Sequence, residues 1–155
     1  MTTGKEPPGA VDALVERISD RVELQDITPV AFSAERLKPG DGVELKMALA
    51  SAAATADGSL SYKFDLTGRV LDGDDESIVT FSVSMVVTYV PRDPDHEALT
   101  EDTSALKVFG EQVAWVEVYP YLREAVQAVL GRLRIHAFQL PMLRPASGLE
   151  ADVTG

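Results

Sequence analysis

Between residues 22 and 90 the hydrophobic positions recur mostly every second residue, the period of a strand with one buried face. The third such stretch is the clearest: Leu60, Tyr62, Phe64, Leu66 and Val70 share one parity, and Ser61, Lys63, Asp65, Thr67 and Arg69 the other. The fourth, Ile78 to Val90, sets Val79, Phe81, Val83, Met85, Val87 and Tyr89 against mostly hydroxyl side chains. The second places Val43, Leu45, Met47 and Leu49 opposite Glu44, Lys46 and alanines, and its alanine-rich end, Ser51 to Ala56, either prolongs the strand or frays. The first, Val22 to Phe32, has a fault: Val22, Leu24, Val30 and Phe32 agree in parity and Ile27 does not. A bulge near Ile27-Thr28-Pro29 accounts for the slip, and Pro29 marks the strand as an edge or as bulged. Short turns at Leu37–Gly42, Asp57-Gly58 and Asp72–Asp75 separate the stretches. They imply antiparallel pairing and a four-stranded sheet with one apolar face to be covered.

The period then changes. From about Ser104 to Arg134 the pattern is helical, and Trp115, Tyr119, Leu122, Val126, Val129 and Leu133 are spaced 4, 3, 4, 3, 4, with Val108 one heptad above. That is a narrow seam on one side of a helix. A second apolar patch, Phe109, Val113 and Val116, points in another direction. A helix with two apolar directions needs two surfaces to pack against, here its own sheet and a second copy of the chain. Pro120 removes a backbone donor and predicts a kink or break. At the other end, Val11, Leu14, Val15 and Ile18 predict a short helix ending near Asp20 or Arg21. The fold class is therefore α+β: a four-stranded antiparallel sheet followed by a long kinked helix, with a short N-terminal helix. Residues 1–9 are expected to be disordered, 10–145 to form one domain with an extended stretch from Ala137 to Pro145, and 146–155 to be a flexible tail.

A length of 155 residues suits one domain able to bury about 70% of its unfolded surface. The absence of cysteine excludes disulfides and thiolate metal sites. With 25 acidic and 14 basic residues the net charge is −11, which disfavours nucleic acid and anionic membranes and favours basic partners. No secretory signal and no membrane span is expected, so a soluble cytoplasmic location is the default.

Candidate chemistry is sparse. Asp72-Gly-Asp-Asp-Glu76 fails the calcium-loop pattern and reads as a solvated turn. Asp93, Asp95, His96 and Glu97 lack the register of a metal site, and His136 suits the end of a helix. No nucleophile elbow, phosphate-binding loop or zinc motif occurs, so neither an enzyme nor a cofactor is expected. The aromatic set Trp115, Tyr119, Tyr121 and Phe138 has two readings, core packing or a groove that takes extended apolar segments of other proteins. Adaptable Met85 and Met142 suit the second.

Val118-Tyr119-Pro120-Tyr121-Leu122-Arg123-Glu124, then Val129-Leu130-Gly131-Arg132, then Phe138-Gln139-Leu140-Pro141, resembles the signature of the SecB-type export chaperones. The likeness spans about Val22 to Pro145 and is nearest to the SecB-like branch, some members of which accompany toxin–antitoxin pairs. The resemblance implies an ATP-independent holdase for unfolded or precursor polypeptides, assembled as a homotetramer (a dimer of dimers) and acting in protein export with the translocase motor as a partner. The alternative is a dedicated chaperone for one client such as an antitoxin. The expected client groove is Phe81, Val83, Met85, Trp115, Tyr119, Tyr121, Phe138, Leu140 and Met142. The expected oligomer interface is Val108, Phe109, Val113, Val116, Leu122 and Val126. Three departures stand out: too few residues follow Pro145 for the family's second C-terminal helix, Thr80 and Ser82 stand where the family presents a Leu and a Glu to the motor, and the helix from Val11 to Asp20 is additional.

Overall fold

The computed structural model describes residues 8–56, 58–93, 103–135 and 150–154. The elements are α1 (Pro8–Ser19), β1 (Val22–Arg36), β2 (Glu44–Ala56), β3 (Ser59–Leu71), β4 (Ser77–Pro91), α2 (Thr103–Phe109), a π-helical turn (Gly110–Ala114), α3 (Trp115–Arg132) and β5 (Glu150–Thr154). The α+β class, the four consecutive antiparallel strands, the long helix and the short N-terminal helix are as expected. The alanine-rich end of β2 prolongs the strand. The expected extended stretch Ala137–Pro145 lies outside the described residues, as do Asp95, His96, Glu97 and His136.

The sheet order is β1-β4-β3-β2-β5. Hairpins join β2 to β3 and β3 to β4, but β1 pairs with β4 and not with β2. The turn expected at Leu37–Gly42 is thus a crossover. It must travel three strand spacings, about 14 Å, which its residues span easily when extended. The Leu37 N–H donates to the Ile78 carbonyl at 2.8 Å and the Val43 N–H to the Leu71 carbonyl at 2.8 Å, so both ends are tied to the strands they cross. Lys38 ion-pairs with Asp72 at 2.7 Å and with Glu76, both in the β3–β4 turn. Asp72 also accepts the backbone N–H groups of Asp74 and Glu76, so the acidic turn holds itself and the crossover lysine. This order also encloses β4, the most apolar strand, between two neighbours.

The fault in β1 is resolved by two bulges, between Leu24 and Asp26 and between Pro29 and Ala31, one on each side of the expected position. Each inserts one residue, so Leu24, Ile27, Pro29, Phe32 and Ala34 all lie opposite apolar-face residues of β4. β5 pairs with Glu44–Ala48 of β2 where a loose tail was expected. The outer side of β2 offers unpaired backbone groups there, and an extended segment satisfies them.

The helices cover the apolar face. Ala105, Phe109, Ala114, Val118, Leu122, Val126 and Leu130 are buried. Their spacing is 4, 5, 4, 4, 4, 4. The step of five falls across the π turn, where the Trp115 N–H donates to the Gly110 carbonyl, an i→i−5 bond. One extra residue per turn rephases the apolar pattern, which an unbroken α-helix cannot do. Gly110 lets this turn meet the sheet: a Cβ there would lie 2.6 Å from Cε1 of Tyr62. Pro120 lies inside α3 and does not break it. Val116, whose carbonyl would have accepted the missing N–H, is 41% exposed, and Pro120 is exposed as well, so water can take the freed carbonyl. α1 packs on α2 and β1, with Ile18 fully buried in the core.

Candidate functional site

A run of ring contacts crosses from the core to the surface. Phe109 meets Tyr62 at a centroid separation of 6.2 Å, Tyr62 meets Phe64 at 6.3 Å, Phe64 meets Trp115 at 5.7 Å, and Trp115 meets Tyr119 at 5.1 Å. Phe109, Tyr62 and Phe64 are buried, whereas Trp115 and Tyr119 are half-buried. The inner end is rigid: the Tyr62 hydroxyl donates to the Leu106 carbonyl, and Tyr89 packs edge-on to Phe109 at 5.2 Å. Such offset and edge-on pairs add about 0.5–1.5 kcal/mol each beyond area burial. The outer end is held by α3, one turn of which separates Trp115 from Tyr119.

Among the described residues, the neighbouring strand β2 sets only small side chains beside this ladder. α3 packs on β4 and β1, while β2 lies across β3 from β4. On β2, Ser51 stands opposite Phe64 and Ala53 opposite Tyr62, and both are exposed. Small Ser51 and Ala53 beside large Phe64 and Tyr62 form a shallow trough on this face of the sheet, and Trp115 and Tyr119 continue the row of rings from Phe64 along α3. Such a trough can take apolar side chains of an extended chain, and Trp and Tyr provide large, stiff contact area.

Burial tunes the nearby titratable groups. Desolvation raises the Tyr119 phenol, offset in part by the charge of Arg123. Tyr62 is also raised by burial. Desolvation raises the Glu117 carboxyl above its ordinary value, offset in part by the nearby Tyr89 hydroxyl. The buried Tyr89 hydroxyl lies near that carboxylate but makes no hydrogen bond of good geometry among the described residues. No cluster of three metal-ligating side chains occurs among the described residues, and no described helix is long and apolar enough to cross a membrane.

The expected groove residues divide into three sets. Phe81, Val83 and Met85 are buried core residues on β4. Trp115 and Tyr119 are half-buried at the outer end of the row of rings, and Tyr121 is 51% exposed. Phe138, Leu140 and Met142 lie outside the described residues. Of the expected interface set, Phe109, Leu122 and Val126 are buried within the protomer, which leaves no surface for a second copy to touch. Val108 and Val113 are half-buried and Val116 is exposed. Phe64, Ser51 and Ala53 were not singled out from sequence. Their juxtaposition depends on the register of β2 with β3, for which the only early signal was the two-residue turn at Asp57-Gly58.

The architecture matches a known one. A SecB-like chaperone from Mycobacterium tuberculosis, Rv1957, solved in complex with a ChAD peptide from the Rv1956 HigA1 antitoxin, superposes with a TM-score of 0.73 at 17% identity. The match covers 85% of this chain and 97% of that one. The fold is SecB-like. No protein-family model and no curated protein matches the sequence. At such low identity the likeness speaks for the SecB-like fold.

Proposed function

We propose that this chain is an ATP-independent chaperone that holds an extended, partly apolar segment of one dedicated client protein, with an antitoxin as the favoured class. The observation that carries the reading is the row of rings from Tyr62 and Phe64 to half-buried Trp115 and Tyr119, faced on β2 by the small, exposed Ser51 and Ala53. An extended client removes apolar side chains from water there without any chemical step. The SecB-like neighbour was solved with an antitoxin peptide, which favours a dedicated client over a general holdase or an export factor. Thr80 and Ser82, where the typical family presents a Leu and a Glu to the translocase motor, point the same way.

Oligomerisation belongs to the same reading. Leu24, Val30 and Phe32 of β1 are 43–51% exposed, and Val116 and Tyr121 of α3 add further apolar surface. A second copy packing on β1 and α3 would cover them, as in a dimer or a dimer of dimers. With several troughs per particle, weak local contacts sum to tight binding.

Trp115 is the only tryptophan, so its emission reports the trough directly. The test titrates the protein with peptides scanned from an antitoxin encoded beside it and with unrelated unfolded chains. A blue shift saturating with one antitoxin peptide, and lost in Tyr119→Ala, supports the dedicated reading. Equal binding of all unfolded chains favours the general holdase, and no response to any of them refutes the trough as a client site.

A further inference from the structure

The two sides of the sheet are built differently. β1 carries Pro29, two bulges and the charged residues Glu23, Asp26, Glu35 and Arg36. Each is a feature that blocks the addition of another strand. β2 has none of them over Ala48–Ala56. Its pairing with β3 runs through all 13 residues without a bulge, and that stretch holds only Ala, Leu, Ser and Thr. Its outer backbone groups therefore form a regular ladder. Over Glu44–Ala48 the ladder is taken by β5, with Glu44 opposite Thr154 and Ala48 opposite Glu150. Over Leu49–Ala56 it meets no strand among the described residues. Unmet N–H and C=O groups on a straight strand are a template for pairing, and β5 shows that this strand accepts an antiparallel partner.

We propose that the outer edge of β2 is a strand-addition site for an extended client segment, and that β5 is its built-in, displaceable occupant. The role assigned to the client rests on the chaperone function proposed above. The pairing and displacement of β5 do not. β5 covers five of the strand's residues, and among the described residues no strand pairs with the outer edge of Leu49–Ala56. A longer strand nucleates over Leu49–Ala56, beside Ser51 and Ala53, and then replaces β5 residue by residue. Alternate side chains of that strand fall on the Trp115–Tyr119 side, so the fitting segment has apolar residues at every second position and no proline. Because β5 is tethered, it competes at an effective concentration on the order of millimolar, which lowers the apparent affinity of any incoming strand.

The test uses the full-length chain with Ala151→Pro and Asp152→Pro together. Adjacent residues alternate in facing the partner strand, so the pair removes a ladder N–H whichever phase β5 adopts. Two readouts are taken: amide exchange over residues 44–48, and binding of a fluorescein-labelled peptide of residues 149–155 added in trans. The expected result is faster exchange over 44–48 and at least about fivefold tighter binding of the peptide to the variant than to the parent. Unchanged exchange, or unchanged peptide affinity, overturns the proposal. A concentration-dependent dimer formed only by the variant, seen by light scattering, assigns the edge to a second copy and overturns the client assignment. The unmodified chain's Trp115 titration tests the chaperone function separately, so the two failures are distinguishable.

Discussion

Gly110 and Gly131 lie in the same long helical run, and replacing each with alanine should move stability in opposite directions. An alanine in a helix interior is favoured over glycine by about 0.8–1.0 kcal/mol, so propensity alone stabilises both variants. At Gly131 nothing lies within 4 Å of the added methyl, and the propensity gain is realised, less some reduction near the helix end. At Gly110 the methyl would sit 2.6 Å from Cε1, 3.0 Å from Cδ1 and 3.3 Å from Cζ of Tyr62. That ring cannot step aside. It is 3% exposed, bonded through its hydroxyl to Leu106, and packed against Phe64, Tyr89 and Phe109. Overpacking at such a site costs about 1–3 kcal/mol, and the π turn must also lift from the sheet, so the net effect of Gly110→Ala is a loss of about 1–2 kcal/mol. Gly131→Ala gains about 0.5–1 kcal/mol, so the two differ by roughly 2–3 kcal/mol. Urea unfolding followed by Trp115 emission measures both. For a chain of this size the melting points should separate by about 4–10 °C. If Gly110→Ala is neutral or stabilising, the close approach of the π turn to Tyr62 is not what requires glycine there. If the clash is the cause, adding Tyr62→Leu to Gly110→Ala recovers part of its penalty, a coupling that a purely local backbone effect does not produce.

Leu122→Ala empties a fully buried position of α3 and should cost about 2–5 kcal/mol by urea unfolding, whereas Glu124→Ala, two residues away and exposed, should stay within about 0.5 kcal/mol. Lys38→Ala should leave the urea midpoint nearly unchanged at any salt concentration, because exposed ion pairs are weak, while loosening the crossover in amide exchange. Glu117 has a raised folded-state carboxyl, so between its unfolded and folded pKa values the folded chain holds more protons and stability falls as pH rises. Glu117→Gln should therefore raise the melting point at pH 7 and flatten its fall just above the ordinary carboxylate range. An unchanged pH profile would show that the carboxyl is solvated after all.

The strands were legible because each has one wet and one dry face, and a period of two survives in the sequence whatever the strand's neighbours are. Leu60 to Val70 and Val79 to Tyr89 are buried as that pattern requires. The short helix ending at Ser19 was legible for the same reason, with Ile18 anchoring it. The faulty parity of β1 announced a bulge, although parity alone cannot separate one bulge from the two that carry both Ile27 and Phe32 to the same face. The aromatic positions Trp115 and Tyr119 stood out by helical spacing, but Phe81, Val83 and Met85 share that apolar character and are core, since hydrophobicity does not say what covers a residue.

What needed the tertiary structure was everything set by contacts between distant segments. The pairing of β1 with β4 depends on a crossover held at Ile78 and Leu71, and its turn residues look like those of any hairpin. The buried stripe of the long helix steps by five at one point because the π turn forms over Tyr62, and the heptad seam holds only Leu122 and Val126 of its fully buried residues, with Phe109 in the second patch. The trough exists because the register of β2 sets Ser51 and Ala53 beside Phe64 and Tyr62, two segments whose individual patterns carry no record of each other. Local periodicity encodes which side of an element is dry. Which dry sides meet, and what they leave open, is decided when the chain closes on itself.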